Sequence, residues 1–342
     1  MKNITLFLLC FVLFVGCKKQ TVKSYNDKDL TKYVNPFIGT GGHGHTYPGA
    51  AVPFGMLQIS PVNGISNWDW CSGYHYSDSV MVGFSHLSLS GTGIGDLADV
   101  LFMPINKEID LRVLHKYRDS IPYKSSYSHK NEKAGPGYYQ VFLDDPKINV
   151  ELTTSNRTAI HKYIYTENDR QSVIVDLGFA INWDKALKTS ITIENENTIS
   201  GYRFSSGWAK NQKVYFVAKF SKPISEHTLF ANQEIIKGST SQGEKTAVQL
   251  FFNSVNSSEL FVKVALSSVS IANAKNNLDT GDFNFEKVKT EADSIWNKAL
   301  NKIEVETPID SLKTMFYTAM YHAQLAPVTY SDKNGQFRKE ND

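Results

Sequence analysis

The side chains best suited to chemistry lie in two adjacent segments near the N-terminus. The first, GTGGHGHTYPGAAVPFGM, holds six glycines and two histidines within eighteen residues, and the second, WDWCSGYHY, is rich in aromatic rings. Sugars rest their apolar face on an aromatic ring, while short polar groups bind their hydroxyls. Glycines let the backbone approach a ligand without an intervening Cβ. These segments predict a sugar-binding site, with the candidate contact residues Trp68, Asp69, Trp70, Cys71, His86, His43 and His45.

Other site chemistries have weaker support from the same segments. His43 and His45 would point the same way in an extended segment, but no third metal ligand has suitable spacing, so we expect hydrogen-bonding roles and no metal site. The run GTGIGD from Gly91 to Asp96 has no following Lys-Ser/Thr and no surrounding βαβ pattern, which argues against nucleotide binding. The run SLSGTG is not the Gly-x-Ser-x-Gly turn of serine hydrolases.

Composition narrows the class of protein. The chain has 342 residues with 41% apolar content, enough to bury a sizeable core. The 36 basic and 34 acidic residues nearly balance, and no basic block is present that would follow a phosphate backbone. We therefore expect a globular protein and no nucleic-acid partner.

The N-terminus predicts export. Residues 1–17, MKNITLFLLCFVLFVGC, combine Lys2 with an apolar run too short to span a bilayer comfortably. The run ends in a sequence that resembles a bacterial lipobox, which makes Cys17 the predicted lipid attachment site and residues 18–30 a tether. An ordinary cleaved signal is the alternative, and the membrane face stays open between periplasm and cell surface. Cys71 would then be the only thiol of the mature chain, in either the core or a pocket.

The periodicity of the chain predicts a mainly β fold. From Tyr138 to about Ser270, short β-rich runs are joined by polar turns without helical crossovers, so we expect a large antiparallel β-sandwich over residues 31–280. An apolar stripe that includes Trp296 predicts a linker helix within 281–305. A second helix, predicted to begin at Thr307-Pro308, would open a helical domain over 306–342 whose apolar face, near Trp296 and Phe316, lacks partners.

Three long motifs carry a family resemblance. YVNPFIGTGGHGHTYPGAAVPFGMLQISP, WDWCSGYHY and GFSHLSLSGTGIGDLADVLFMP together strongly resemble the N-terminal domain of glycoside hydrolase family 92, a family of exo-acting α-mannosidases. The match is dense from Tyr33 to Pro104 and looser beyond. The resemblance implies a β-sandwich, linker helices and an (α/α)6 barrel, with the active site between sandwich and barrel. The chain would then stop at the first helix of an incomplete barrel.

The resemblance also implies an activity. Family members remove terminal α-mannose from N-glycans or mannan by inverting hydrolysis with a bound calcium. Their catalytic acid, base and calcium ligands lie in the barrel, so no catalytic residue or metal ligand is assigned to this chain. We expect the chain alone to be inactive, with mannose-containing glycans and the missing catalytic domain as partners. Asp96 and Asp99 are expected to hold loop geometry.

Three other functions stay open on the sequence. The chain could be a non-catalytic carbohydrate-binding lipoprotein, in which case it would bind mannosides by itself. It could belong to a peptide N-glycanase-like enzyme, which would release whole glycans rather than free mannose. It could also be a structural sandwich that docks a helical partner and binds no sugar.

Overall fold

Two antiparallel sheets and three following helices make up the described structure. A computed structural model describes residues 28–64, 67–112, 120–166, 170–253 and 257–339. Buried apolar side chains from both sheets form one large shared core. The predicted β-sandwich followed by helices is therefore confirmed, and it matches the sequence periodicity that predicts it.

The first sheet has eight strands in the described residues. In spatial order these are β1 (Ala50–Ala51), β2 (Gln58–Val62), β4 (Gly83–Ser85), β5 (Leu101–Ile105), β10 (Gln171–Asp176), β17 (Thr246–Phe252), β14 (Ile224–Ala231) and β15 (Glu234–Ile236). At its centre, Val173 of β10 pairs with Pro104 on one side and Leu250 on the other. All six residues of β10 are buried, as expected for a strand covered on both faces.

The second sheet has ten strands in the described residues. In spatial order these are β16 (Thr240–Gly243), β11 (Lys185–Asn195), β12 (Thr198–Ser206), β13 (Gln212–Phe220), β18 (Glu259–Ser267), β9 (Thr158–Tyr165), β8 (Ile148–Thr154), β7 (Tyr138–Leu143), β6 (Ser125–Gly135) and β3 (Val80–Met81). Along β7, Tyr139, Val141 and Leu143 point inward while their neighbours are half-buried, which is the alternation that the sequence displays.

Three helices follow the last strand. They are α1 (Ile271–Asn277), α2 (Phe285–Leu300) and α3 (Asp310–Ala323). The predicted start of α3 is wrong: Thr307 accepts a bond from the nearby Ile309 amide, and Ile309 is the extended residue before the helix. Thr307 thus closes a local turn instead of capping the helix. None of the helices in the described ranges is long and apolar enough to cross a membrane.

The helices share a second core with the N-terminal segment. Trp296 of α2 is fully buried against Tyr321 of α3 and beside Leu30, and its indole N–H donates to the Ala51 carbonyl at 2.6 Å. The expectation that the face near Trp296 lacks partners is therefore wrong, because Tyr321 of α3 and Ala51 of β1 cover it. On α3, by contrast, Leu312 and Met315 are 46% and 63% exposed.

Candidate functional site

Trp68 presents an aromatic face at the surface. It begins the 3-10 turn Trp68–Trp70 and is 50% exposed. The ring centroid of His43 lies 5.0 Å from that of Trp68, and His45 meets the indole edge-on at 4.2 Å. The structure therefore brings the glycine-histidine segment and the WDWC segment together around one half-exposed ring.

A polar pair lies beside this ring. His43 Nδ1 is 2.6 Å from Asp69 Oδ1, and the imidazole of His43 is mostly exposed. When His43 is protonated, the contact is a charge-assisted hydrogen bond. The pair holds a carboxylate and an imidazole next to the Trp68 face, where both can bind hydroxyl groups.

His45 adds an unpaired nitrogen to the site. Its backbone lies in the left-handed region with φ of 53°, its side chain is buried, and Nε2 has no hydrogen-bond partner among the described residues. Burial lowers the pKa of His45, which keeps the ring neutral near pH 7. A buried, unpaired polar nitrogen is costly unless a ligand or water satisfies it.

Trp70 and Cys71 lie underneath this surface. Trp70 is half-buried, and its ring centroid is 4.7 Å from that of His75. Cys71 is fully buried, with the amide nitrogen of Asn182 4.0 Å from its sulfur. Burial, reinforced by the charge of Asp69, raises the pKa of the Cys71 thiol, so the sulfur stays protonated. These two residues support the turn instead of presenting a face to solvent.

His86 lies inside the sandwich, apart from the Trp68 surface. It is fully buried, its Nδ1 donates to the Val100 carbonyl at 2.7 Å, and its Nε2 is 2.9 Å from Nε2 of His161. Both ring nitrogens are thus used by the core, and we leave His86 out of the proposed sugar contacts.

A loop that the sequence reasoning did not connect with the site packs against it. An ideal Cβ at Gly93 would lie 2.5 Å from Trp68 Nε1, and the Gly91 amide donates to the His45 carbonyl at 2.7 Å. The glycines of GTGIGD were the only available signal, and they permit this close approach to protein side chains instead of phosphates. Asp96 accepts bonds from the Trp208 and Ala209 amides, which is the expected loop-holding role.

An open, mostly apolar cleft of about 540 Å³ lies on the other side of this loop. Its walls include Leu87 and Leu97 from the loop region and Val328 and Tyr330 from the C-terminal segment. Within the described residues, no group of three or more His, Cys, Asp or Glu side chains could hold a metal ion. We therefore assign no calcium ligand among the described residues.

Two family models together match most of the chain. The model described as the glycosyl hydrolase family 92 N-terminal domain matches residues 33–267, and the model described as the glycosyl hydrolase family 92 catalytic domain matches residues 272–342. The boundary between the two matches falls between β18 and α1.

Solved and curated relatives agree with these matches. A family GH92 alpha-mannosidase from Bacteroides thetaiotaomicron is 35% identical with a TM-score of 0.85, covering 91% of this chain and 43% of that one; it has also been solved in complex with mannoimidazole. A family GH92 inverting mannosidase from the same organism is 27% identical with a TM-score of 0.75, over 90% and 41%. An uncharacterized secreted glycosidase of Arthroderma benhamiae is 26% identical over 94% of this chain and 45% of that protein. The chain thus spans less than half the length of these relatives.

Proposed function

Because the chain belongs to glycosyl hydrolase family 92, we propose that it is the N-terminal portion of an exported exo-α-mannosidase. The enzyme removes terminal α-mannose from N-glycans or mannan by inverting hydrolysis. Three similar structures support this proposal: two are of a family GH92 alpha-mannosidase, one of them with mannoimidazole bound, and the third is of a family GH92 inverting mannosidase.

The observation that carries the proposal for this chain is the half-exposed ring of Trp68 beside the exposed His43–Asp69 pair. The apolar face of a terminal mannose lies against Trp68, while the His43–Asp69 pair binds its hydroxyls. Trp70 and Cys71 hold the turn from below. The chain thereby supplies one wall of a pocket for a single terminal sugar.

The reacting groups come from the part of the catalytic domain that this chain does not include. Inversion needs a carboxylic acid and a carboxylate about 6.5–9.5 Å apart, with room for water between them. The resemblance implies that both groups and the calcium ligands lie in the helical domain. The exposed apolar residues Leu312 and Met315 and the apolar cleft beside the loop support further helical structure packing here.

The proposed activity is tested with two proteins, the chain alone and the chain followed by a complete family 92 catalytic domain. We expect the longer protein to release free mannose from α-mannosides and from a high-mannose glycoprotein, and the chain alone to release none. Mannose release by the chain alone would contradict the proposal that the reacting groups lie in the part of the catalytic domain outside this chain. Release of whole glycans by the longer protein would instead favour a peptide N-glycanase-like enzyme, and mannoside binding without hydrolysis would favour a carbohydrate-binding lipoprotein.

We also propose that Cys17, which lies outside the described residues, carries a lipid that anchors the exported protein. The secreted fungal relative supports export, and the lipobox-like sequence supports the anchor. Cys17→Ser is expected to move the protein from the membrane fraction to the soluble exported fraction, because one sulfur carries the attachment. Cys10→Ser, within the signal segment, is the matched control and should leave fractionation unchanged. Membrane association of Cys17→Ser equal to that of the natural chain would refute the anchor.

A further inference from the structure

Arg203 is a fully buried arginine held by two buried carboxylates. From β12, its Nη1 donates to Asp99 Oδ1 and its Nη2 to Asp184 Oδ2, each at 2.5 Å. Two further N–H groups, on Nε and Nη2, donate to the carbonyls of Leu177 and Phe179, both at 3.1 Å. The guanidinium therefore joins β12 of the second sheet to two loops. One loop contains Asp99 and precedes β5, and the other contains Asp184 and connects β10 to β11.

Stability alone does not account for this cluster. Two carboxylates share one guanidinium, and Oδ1 of Asp184 has no hydrogen-bond partner among the described residues. Gln212, which is uncharged, donates a hydrogen bond of 2.6 Å to Oδ2 of Asp99. Buried ion clusters often contribute no more stability than apolar side chains of similar volume, whereas they impose one geometry on the groups they join.

The backbone of the loop that contains Asp99 is strained. Leu97, Ala98 and Val100 all have left-handed backbone conformations, with φ of 72°, 62° and 56°, and Asp99 lies among them. Such conformations are unfavourable for residues with a Cβ and persist only where the surroundings enforce them. Arg203 and Gln212 bind the one side chain in this segment that can be anchored by charge.

The same loop reaches Trp68. Six residues before Asp99, the Gly93 backbone lies against the Trp68 indole nitrogen, and the Gly91 amide binds the His45 carbonyl. The loop that contains Asp184 reaches Cys71, which lies beneath Trp68. Two residues before Asp184, Asn182 has a left-handed φ of 49°, packs against Gly95 and lies next to the Cys71 sulfur.

We propose that Arg203 is a positioning residue, which clamps the two loops through Asp99 and Asp184 and thereby fixes the orientation of the Trp68 platform. The inference rests on the proposed sugar-binding role of Trp68. The placement of Trp68 is nevertheless measurable without any sugar, so the two proposals can fail separately.

The test follows the Trp68 signal by fluorine NMR of the full chain labelled with 5-fluorotryptophan, each signal being assigned by a single Trp→Phe change. Two variants are compared: Arg203→Met, and the charge-neutral triple variant Arg203→Met/Asp99→Asn/Asp184→Asn. We expect Arg203→Met to lower the thermal midpoint, because it leaves two buried carboxylates unpaired, and the triple variant to recover most of it. In both, the Trp68 signal should shift or broaden while the signal of the distant Trp296 stays in place.

The matched control is Leu260→Ala in β18. This strand neighbours β13, but Leu260 is buried at the end of β18 that lies away from Gln212. It should lower the thermal midpoint through core loss while leaving the Trp68 signal unchanged. If Arg203→Met does not fold, the position of the Trp68 signal is measured in the triple variant alone. A wild-type Trp68 signal in the triple variant, or an equal shift in Leu260→Ala, would overturn the inference.

An activity measurement separates this inference from the proposed function. In the longer protein with a complete catalytic domain, the triple variant should lose about 100-fold in kcat/KM on an α-mannoside, the scale expected for misplacing a binding group by about 1 Å. If the Trp68 signal moves and hydrolysis does not change, the clamp stands and the sugar-binding role of Trp68 fails.

Discussion

Replacing Trp68 with alanine is expected to lower mannoside kcat/KM by about tenfold to a hundredfold in the longer protein, with a nearly unchanged thermal midpoint. Loss of an aromatic platform removes about 1–3 kcal/mol of interaction with the sugar. The ring is half-exposed and contacts the rings of His43 and His45, which lie outside the main core, so its removal takes little from the core. Turnover and thermal melting of the same preparation measure both effects.

Trp70→Ala is the matched comparison, because the two rings lie two residues apart in one turn. Trp70 is half-buried and packs on His75, so we expect its loss to lower the stability by at least about 2 kcal/mol. Its turnover, measured well below its melting temperature, should change less than that of Trp68→Ala. Wild-type turnover in both variants would show that the WDWC turn does not form the pocket wall.

The difference between these two tryptophans could not be predicted from the sequence. Trp68 and Trp70 share one motif, and the sequence gives no reason to assign one to solvent and the other to the interior. The 3-10 turn over these residues decides it, together with long-range contacts to His43, His45 and His75. The clustering of the two segments was predictable, because several polar and aromatic residues in glycine-rich loops rarely serve only the core.

In the fold as well, the features set by local sequence patterns could be predicted, whereas those set by contacts between distant residues could not. Alternating apolar residues, such as Tyr139, Val141 and Leu143, are enough to predict strands and a sandwich. The burial of Trp296 depends instead on contacts with Tyr321 and with Ala51, which lies 245 residues earlier, and the periodicity of a helix does not identify what covers it. The charge cluster of Arg203 likewise joins residues from three separate parts of the chain.

His86 illustrates how a motif can mislead. It lies in GFSHLSLSGTGIGDLADVLFMP, the motif whose glycines pack against Trp68 and His45. His86 follows directly after β4, and its ring lies in the core, bonded to the Val100 carbonyl and to His161.

The buried histidine pair fixes one pattern of protonation. His86 donates from Nδ1 to the Val100 carbonyl, and its Nε2 accepts from Nε2 of His161, whose Nδ1 accepts from the Tyr163 hydroxyl at 2.6 Å. Every ring nitrogen is satisfied while both rings are neutral. A second proton on His86 would place two N–H donors against each other, in a site closed to water.

Acid is therefore expected to destabilise the fold through this pair. Burial lowers the pKa of His86 to about 4, and burial together with the neighbouring His86 lowers the pKa of His161 well below its ordinary value. In the unfolded chain both rings bind protons near pH 6.5. Below that pH the unfolded state binds more protons than the folded state, so the stabilisation is fully present above pH 6.5 and declines toward pH 4. The loss from His86 alone is about 3 kcal/mol.

Urea unfolding at pH 7 and pH 5 measures the part of this loss that falls between these two pH values, about 2 kcal/mol for His86. His86→Gln should show a smaller fall in unfolding free energy between the two pH values than the natural chain, whatever its stability at pH 7, because one of the two buried rings no longer titrates. His227→Gln is the control, since His227 lies on β14 with its ring near the surface, bonded to the Gly238 carbonyl. It should retain the wild-type dependence on pH. An identical fall in His86→Gln and in the natural chain would mean that the buried pair does not govern the acid response.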